Sequence, residues 1–549
     1  MAELTVGDGA VDGGSASPAT TNRKQSYITG MLVKNPGVPI FLSVFLVTLF
    51  ITAAVFTRWV DVSIITAQFR QKDILPFEDF ETTNNSTVES CPEYFRWIHE
   101  DLKPWKNMGI TKEMVEKARE KAHFRLIIVD GRLYMEKYDY VFQTRDVFTI
   151  WGILQLLKLY PGKIPDLDLM FMCHDWPLIR KADYPDNNTT IPPLFHYCGD
   201  DLTYDIVFPD WSFWGWPEVN VKPWLNLSKE LEHGNQKIKW KDREPYAYWK
   251  GNTYTGKARR DLAKCNSDGT HEWNARIHHL DWRKGFKETD LASQCTYRYK
   301  VYVEGNAWSV SEKYILACDS MSLVITPHYY DFFTRGLTPT IHYWPINEHK
   351  KCSSIKFAVD WGNKNTEKAQ EIGRRGSEFV QNELQMKFVY DYMLHLLTEY
   401  SKLFKYKPFI TKNAVEVCSC FGKGLVKEFK EISMVMGAAK ASPCTMQPPY
   451  DDSEIESLLF KKLNLTRQVR IWEASGRFLD KKKVEFETTR PLAFSPHTDH
   501  PSSPTILHVG DSSRNGNNER QYDRCPDRRN DWLSDHRNNR KQQVTDGHQ

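Results

Sequence analysis

Apolar and polar residues follow helical and strand periods in turn, and this pattern predicts alternating helices and strands. The run LIIV at 126–129 is followed by Asp130-Gly131, the dipeptide that a two-residue hairpin turn prefers. Apolar residues at helical spacing over 147–157 predict a helix that ends before Pro161. The apolar run DLDLMFM at 166–172 predicts a buried strand. This order of elements is typical of an α/β fold.

The same alternation resumes after a charged, apolar-poor segment at 229–244, which we interpret as a linker between two halves. PYAYWKG at 245–251 and TYRYKVYVEG at 296–305 predict strands, and SLVIT at 322–326 predicts a parallel neighbour. Residues 366–403 have a strong helical pattern. The sequence therefore predicts two α/β halves that face a cleft.

An uncharged stretch at 38–56, VPIFLSVFLVTLFITAAVF, predicts one transmembrane helix. About 19 residues at ~1.5 Å per residue span close to the ~30 Å hydrocarbon core of a bilayer. A cleaved signal peptide is the alternative, but its apolar region is usually only about 7–15 residues long. An uncleaved signal anchor fits the stretch better.

Cysteines and glycosylation sequons indicate that the body after this stretch is lumenal. All 11 cysteines follow it, and none belongs to a CxxC pair of zinc spacing. Sequons occur after it at Asn84, Asn85, Asn187, Asn188 and Asn226. An oxidising compartment with disulfides fits both observations. We therefore predict a single-pass type II protein of the Golgi or endoplasmic reticulum membrane.

Composition narrows the choice of partners. The formal net charge is +3 over 549 residues, which gives no reason to expect a nucleic-acid partner. Aromatic residues make up 13% of the chain, which suits either stacking on sugars or a large aromatic core. In DWSFWGWPEVNVKPW, Trp211, Trp214 and Trp216 are candidates for stacking on an acceptor, and the alternative is a loop packed against the core.

The segment CHDWP at 173–177 ends the predicted buried strand and supplies the candidate catalytic base. In open α/β sheets, ligands bind at the carboxyl ends of strands, and Pro177 would restrict the backbone there. The Asp175 carboxylate suits a general base, although a capping or ion-paired aspartate is the alternative. His174 ranks second, because neighbouring residues of a strand point in opposite directions.

Asp166 and Asp168 form an Asp-x-Asp triplet of the kind that holds metal ions. Asp168 and Asp175 would lie roughly 23 Å apart on an extended strand at ~3.3 Å per residue, too far to serve one reacting centre. We therefore expect no metal at the site.

Two strand–turn–helix units have residues that suit a diphosphate. In TYRYKVYVEGNAWSVSEKY, a capping box from Ser309 to Glu312 would start a helix whose N–H groups face an anion. WKGNTYTGKARRDLAKC contains a basic cluster that suits a leaving diphosphate without a metal, and a solvated basic helix is the alternative. The cluster consists of Lys250, Lys257, Arg259 and Arg260.

Taken together, these segments resemble the Rumi-like protein O-glucosyltransferases of glycosyltransferase family 90, in particular its plant branch. The resemblance rests on DLDLMFMCHDWP, WSFWGWPEV, YWKGNTYTGKARRDL, YRYKVYVEGNAWSVSEKYILACDS and RRGSEFVQNELQM, in this order. It implies a GT-B architecture of two Rossmann-like domains, a UDP-sugar donor, and inversion at the anomeric carbon without a metal or other cofactor.

The resemblance also implies roles for single residues. Asp175 matches the family's catalytic base, and Asn252 and Arg260 match its donor contacts. The glycine turn would hold the donor through Gly305, Asn306, Ala307, Trp308, Ser309, Val310 and Ser311. Protein-modifying members have serine where Asn252 stands and arginine where Ser311 stands, and the family includes xylosyltransferases that act on polysaccharides. The acceptor is therefore expected to be a protein or a glycan.

These observations predict an inverting glycosyltransferase that uses UDP-glucose or UDP-xylose. The alternative is a weakly active or inactive lumenal sugar-binding or scaffold protein of the same fold. The predicted order is a disordered cytosolic tail (1–36), a transmembrane signal anchor (37–57), a stem (58–90), an N-terminal α/β domain with the base and acceptor site (91–235), a C-terminal α/β nucleotide-sugar domain (236–405), an extension typical of the family branch (406–475) and a disordered tail (476–549).

Overall fold

The computed structural model describes residues 89–185, 190–280, 290–417 and 422–476. They all belong to one compact unit, Leu75–Gln549. The predicted cytosolic tail, signal anchor, most of the stem and the C-terminal tail lie outside the described residues, as do the sequons at Asn84, Asn85, Asn187 and Asn188. Within the described ranges, no helix has both the length and the apolar character that a membrane crossing needs.

Strands and helices alternate along the described chain, as the pattern predicts. The strands are β1 (Phe124–Val129), β2 (Arg132–Lys137), β3 (Leu167–Phe171), β4 (Phe195–His196), β5 (Ile206–Val207), β6 (Glu244–Gly251), β7 (Ala275–His279), β8 (Tyr297–Tyr302), β9 (Met321–Ile325), β10 (Trp344–Ile346) and β11 (Val415–Glu416). The α-helices are α1 (Trp97–Leu102), α2 (Lys112–Ala118), α3 (Arg145–Leu159), α4 (Trp224–Lys237), α5 (Gly256–Ala263), α6 (Glu312–Leu316), α7 (Lys351–Lys364), α8 (Thr366–Glu378), α9 (Met386–Ser401), α10 (Gly424–Ile432) and α11 (Asp452–Ser475).

The first sheet is mixed and has the strand order β11-β2-β1-β3-β4-β5. β1 pairs antiparallel with β2 and β3, whereas β3, β4 and β5 are parallel. The predicted hairpin is present, because Asp130 and Gly131 have φ values of 50° and 71°, in the left-handed region that its turn requires. β3 is buried at every position. The loop that contains Asp175 begins directly after the carboxyl end of this strand.

The second sheet is parallel throughout and has the strand order β10-β9-β8-β6-β7. Parallel neighbours need long crossover connections, which here contain the helices α5 and α6. The turns after β6 and β8, which precede these helices, therefore lie at the same edge of the sheet. This edge carries both predicted strand–turn–helix units.

Two local predictions are wrong. Residues 229–237, interpreted as linker, form the second half of α4, where Leu231 and Gly234 are buried while the charged side chains are on the other faces. One apolar stripe is enough to hold a charged helix against the protein. The capping box also does not form, because Ser309 shares a hydrogen bond with the Ser311 hydroxyl at 2.9 Å and the five-residue helix α6 has no side-chain cap.

Disulfides connect distant parts of the described chain, in agreement with the prediction that this protein contains them. They join Cys91 to Cys444, Cys265 to Cys352 and Cys295 to Cys318. Cys173 and Cys198 are buried and unpaired.

The predicted helical region 366–403 is confirmed by α8 and α9. α9 packs against the first sheet, where the Tyr400 ring contacts the Phe195 ring at a centroid distance of 4.9 Å.

Candidate active site

The Asp175 carboxylate is held by donors from two parts of the fold. Arg145, the first residue of α3, donates from Nη1 to Asp175 Oδ1 at 2.9 Å. Asn306, in the turn after β8 of the second sheet, donates from Nδ2 to Asp175 Oδ2 at 3.0 Å. The Asp175 side chain is still 28% exposed, so solvent or a substrate can reach it. The structure thus brings together two of the predicted site residues, Asp175 and Asn306.

These two donors determine the ionisation of Asp175. Burial by itself would raise the pKa of Asp175, but the Arg145 charge and the Asn306 hydrogen bond outweigh burial, and the pKa lies below its ordinary value. The carboxylate is therefore ionised at neutral pH and able to accept a proton. A lowered pKa also makes it a weaker base, so the arrangement favours constant ionisation over basicity.

Arg145 is a site residue that sequence reasoning missed. It is buried, donates to the Cys173 carbonyl at 2.7 Å, and its guanidinium carbon lies 4.4 Å from the centre of the Trp211 ring. A cation at the first position of a helix is disfavoured by the helix dipole. That unfavourable position was a signal in the sequence, and the contact with Asp175 accounts for it.

Neither histidine near Asp175 shares a hydrogen bond with its carboxylate in the described contacts. The exposed His174 packs edge-on against His123, with ring centres 4.4 Å apart. His196, at the end of the neighbouring strand β4, is fully buried, and burial lowers its pKa to about 4. His196 is therefore neutral at physiological pH.

The Asp-x-Asp triplet has structural partners. Asp168 accepts two hydrogen bonds from Arg125, both at 2.6 Å, and a third from the Tyr406 hydroxyl at 2.7 Å. Asp166 accepts the backbone N–H of Asp130 at 3.0 Å and so supports the hairpin turn. Both carboxylates are thus accounted for by contacts that hold the first sheet together.

The prediction that Trp211 and Trp214 stack on an acceptor is wrong, because both rings are fully buried. The Trp214 indole lies over Gly152, where a Cβ would clash with it, and donates to the Tyr390 hydroxyl at 2.9 Å. Trp216 is half-buried and donates to the Gln143 side chain at 2.8 Å. The alternative interpretation, a loop packed against the core, holds for these residues.

Another tryptophan is available for an acceptor. Trp176, the residue after Asp175, is 48% exposed. Phe142 is also partly exposed, and its ring lies 5.4 Å from the Arg145 guanidinium carbon. Trp176 is the chain neighbour of Asp175, and Phe142 contacts Arg145, which itself pairs with Asp175.

Two of the predicted donor residues, Asn252 and Arg260, belong to the loop after β6 and to the helix α5 that follows it. Gly256, with a φ of 71°, packs against the Gly305 carbonyl so closely that any side chain would clash. Asn252 and Arg260 contact Tyr254 instead: the Asn252 side chain accepts the Tyr254 N–H at 2.9 Å, and the exposed Arg260 donates to the Tyr254 carbonyl at 3.0 Å. They hold the loop itself.

Arg259, rather than Arg260, reaches the turn after β8. Its Nε donates to the Glu304 carbonyl and its Nη2 to the Ser309 hydroxyl, both at 3.0 Å. Within the predicted segment 305–311, Asn306 is exposed, Gly305 is half-buried and the following residues are buried. Arg259 therefore links the start of α5 to the same turn that contacts Asp175.

A cavity of about 70 Å³ lies next to this turn and is lined by Arg259, Lys300, Ser309 and Ser311, among others. In the part of the chain that the structure describes, neither cation has a carboxylate within salt-bridge distance. The Lys300 ammonium donates to Cys318 Sγ at 3.3 Å, and burial lowers the pKa of Lys300 to about 7 and also lowers that of Arg259. An anion in the cavity would be stabilised by the Arg259 charge and would favour the protonated form of Lys300, so the cavity suits an anionic ligand.

A mixed sheet and a parallel sheet in an α/β fold, with an ionised carboxylate linked through Asn306 to the turn that lines a cationic cavity, fit the class of glycosyltransferases. A comparison with protein families agrees: the model described as Glycosyl transferase family 90 matches residues 86–473. The chain belongs to this family, which confirms the resemblance inferred from the sequence.

Curated relatives are similar over most of the same region. The human Protein O-glucosyltransferase 1 is 27% identical over 334 residues, which cover 58% of this chain and 82% of that protein. The O-glucosyltransferase rumi homolog of Aedes aegypti is 27% identical over 343 residues, with 60% and 82% covered. The O-glucosyltransferase rumi of Drosophila melanogaster is 26% identical over 346 residues, with 60% and 82% covered.

Proposed function

We propose that the protein is an inverting, UDP-sugar-dependent glycosyltransferase that transfers glucose or xylose to a hydroxyl group of a protein. The names of the relatives support a protein acceptor and glucose, and a glycan acceptor with xylose is the alternative. The observation that carries the proposal is the position of Asp175, held by Arg145 and by Asn306 of the turn that leads to the cationic cavity.

In the proposed reaction, the acceptor hydroxyl attacks the anomeric carbon of the sugar and inverts it. A neutral hydroxyl is a poor nucleophile at physiological pH, so Asp175 accepts its proton as the new C–O bond forms. The bond from the anomeric carbon to the diphosphate oxygen breaks, and UDP leaves with the electron pair. We assign Arg259 and Lys300 to the charge of the leaving diphosphate, since both line the cavity and neither has an anionic partner among the described residues.

The proposal has an architectural and a cellular part. The two sheets correspond to the two Rossmann-like halves of a GT-B enzyme, with the donor on the second sheet and the acceptor beside Trp176 and Phe142. We further propose that residues 37–57 anchor the protein in the Golgi or endoplasmic reticulum membrane, with the catalytic body in the lumen. Because the assigned cations are side chains, transfer is expected to persist in the presence of a metal chelator.

The test of the base is Asp175→Asn, which keeps the shape of the side chain but cannot accept the proton. Transfer is expected to fall by ~10²–10⁴-fold, with UDP affinity and the melting temperature nearly unchanged. The matched control is His174→Ala, at the neighbouring exposed position. Initial rates with UDP-glucose and UDP-xylose, calorimetric UDP titration and thermal melts provide the readouts. If Asp175→Asn keeps more than about a tenth of the wild-type rate while His174→Ala does not, the base is the histidine.

The second candidate is a sugar-binding or scaffold protein of the same fold. It is favoured by one observation, namely that both oxygens of Asp175 already accept hydrogen bonds. Release of UDP from the donor alone separates the two functions, because transferases usually hydrolyse some donor. Binding of UDP without any release, with either sugar and any acceptor, would favour the scaffold.

A further inference from the structure

Helix α11 carries a glycosylation sequon beyond the five that were predicted. Asn464-Leu465-Thr466 matches the N-x-Thr acceptor pattern. Asn464 is exposed, and the hydroxyl of Thr466 donates back to the Lys462 carbonyl at 3.0 Å. The sequon therefore lies on the surface of a regular helix, and the acceptor amide is accessible in the folded protein.

Asn464 lies in the outer face of α11, away from the side that packs on the protein. The inner face is anchored by Val469, which is fully buried, and by Trp472, whose ring lies 6.1 Å from that of Trp344. Lys462, also on this side, donates to the Arg335 carbonyl. These contacts fix the rotation of the helix, so Asn464 points to solvent.

Large apolar side chains are exposed along α11, and two of them, Phe460 and Ile471, share the side of Asn464. Leu459, Phe460, Leu463 and Ile471 are each more than half exposed. Phe460 and Ile471 are four residues before and seven residues after Asn464, so all three share one side of the helix. We call these four apolar residues the α11 stripe. Clustered apolar side chains on a soluble surface usually mark something that covers them.

We propose that Asn464 carries an N-linked glycan that covers the α11 stripe. The inference rests on the proposed lumenal orientation of the body. In the glycosylation reaction, C1 of the first sugar of a lipid-diphosphate-linked oligosaccharide forms a bond to Asn464 Nδ2. The bond from C1 to the lipid diphosphate breaks, the diphosphate leaves with the electron pair, and the amide nitrogen loses a proton. Sugar rings then lie beside Phe460 and Leu463, and their apolar faces pack on such side chains.

The other sequon in the described residues is less accessible. Asn226 is half-buried on α4 and lies between Trp224 and Leu227, both of which are buried in the core. A glycan there must leave the protein next to packed side chains. Asn464 has no such neighbours on the outer face of α11, so we expect it to be the more completely modified of the two.

The experiment is site-resolved mass spectrometry on the full chain, expressed in the secretory pathway of a eukaryotic host. Enzymatic removal of N-glycans in ¹⁸O-water should convert Asn464 to labelled aspartate in the wild type. Asn464→Gln and Thr466→Ala should each lose one glycan-sized mobility step, whereas the control Thr466→Ser keeps the sequon and the step. An unmodified Asn464 in protein that is glycosylated elsewhere overturns this site alone. Absence of glycan at every sequon overturns the lumenal orientation as well.

A second measurement tests whether the glycan covers the α11 stripe. Asn464→Gln, and wild type from which the glycan has been removed after folding, should both bind an apolar dye more strongly and self-associate more than the glycosylated protein. Adding Leu463→Glu to Asn464→Gln should reverse both effects. Unchanged dye binding and unchanged size in the deglycosylated wild type would overturn the covering role, and self-association that survives Leu463→Glu would assign the contact to another surface.

Discussion

At the scale of single residues, the properties of the site depend on the two donors to Asp175. Arg145 supplies a full charge and Asn306 a neutral amide, and both stabilise the ionised carboxylate. When Asp175 accepts a proton during the reaction, the ion pair with Arg145 is weakened. The same contacts that orient the base therefore oppose proton transfer to it, and loss of either should make Asp175 more basic while making its orientation less defined.

The first prediction concerns the pH dependence of activity. A base must be deprotonated, so kcat/KM falls as the pH drops through the pKa of Asp175, which in the wild type lies below the ordinary value. Arg145→Met should move this acid limb to higher pH, Asn306→Ala should move it by less, and Arg145→Lys should move it least because the charge remains. The measurement is the pH–rate profile of each variant. A limb that stays in place in Arg145→Met would mean that the limb does not report Asp175.

At the scale of elements, the docking of α5 decides which basic residue acts. Successive residues on a helix point about 100° apart, so Arg259 and Arg260 cannot both face the turn after β8. Gly256 permits the start of α5 to pack on Gly305, and this contact directs Arg259 inward to Ser309 and leaves Arg260 in solvent. The basic cluster in the sequence therefore divides: the half-buried Arg259 and Lys250 line the cavity, whereas Lys257 and Arg260 are exposed.

The second prediction compares these neighbours. Arg259→Ala should raise the KM for the donor and lower kcat, because a charge-assisted contact to phosphate contributes ~1.5–3 kcal/mol, or about 10- to 150-fold in kcat/KM. Arg260→Ala is the matched control and should change kcat/KM by much less. Steady-state kinetics with the donor varied is the measurement, and melting temperatures check that the turn near Glu304 survives. Equal losses in both variants would contradict the inward assignment of Arg259.

At the scale of the whole molecule, the segment after residue 405 connects the two sheets. β11 pairs with β2 of the first sheet, and the disulfide from Cys91 to Cys444 ties the segment to the start of the described chain. α11 then contacts Trp344 of β10 in the second sheet through Trp472, and its Glu473 accepts a hydrogen bond from Ser354 of α7. This segment holds together the parts of the fold that contribute Asp175 and Asn306.

The third prediction concerns the stability of this connection. The Cys91–Cys444 bridge spans 353 residues, whereas Cys295–Cys318 spans 23. In the chain-entropy account, the longer loop restricts the unfolded state more, by about 2 kcal/mol. The double variant Cys91→Ala/Cys444→Ala should therefore lose more free energy of unfolding than the matched double variant Cys295→Ala/Cys318→Ala. Denaturant unfolding under non-reducing conditions gives both values, and the reverse order would show that native packing, not loop length, decides.

Several parts of the fold could be predicted because they depend on residues close together in the chain. The Asp130-Gly131 turn and the buried run of β3 each follow from local geometry and local apolar spacing. The end of β3 likewise places Asp175 at the carboxyl edge of the sheet without reference to any distant residue. The quoted segments in their order were also enough to identify the family.

The sequence by itself thus determined the class of fold, the family and the position of the candidate base, whereas the contacts of that base were decided by tertiary structure. Asp175 meets Arg145 from 30 residues away and Asn306 from 131 residues away, and no local pattern encodes such pairs. The same limit explains the errors at Trp211 and Trp214. An aromatic or basic residue has the same local signature whether it faces the core, a ligand or water, and only the docking of one element on another selects among them.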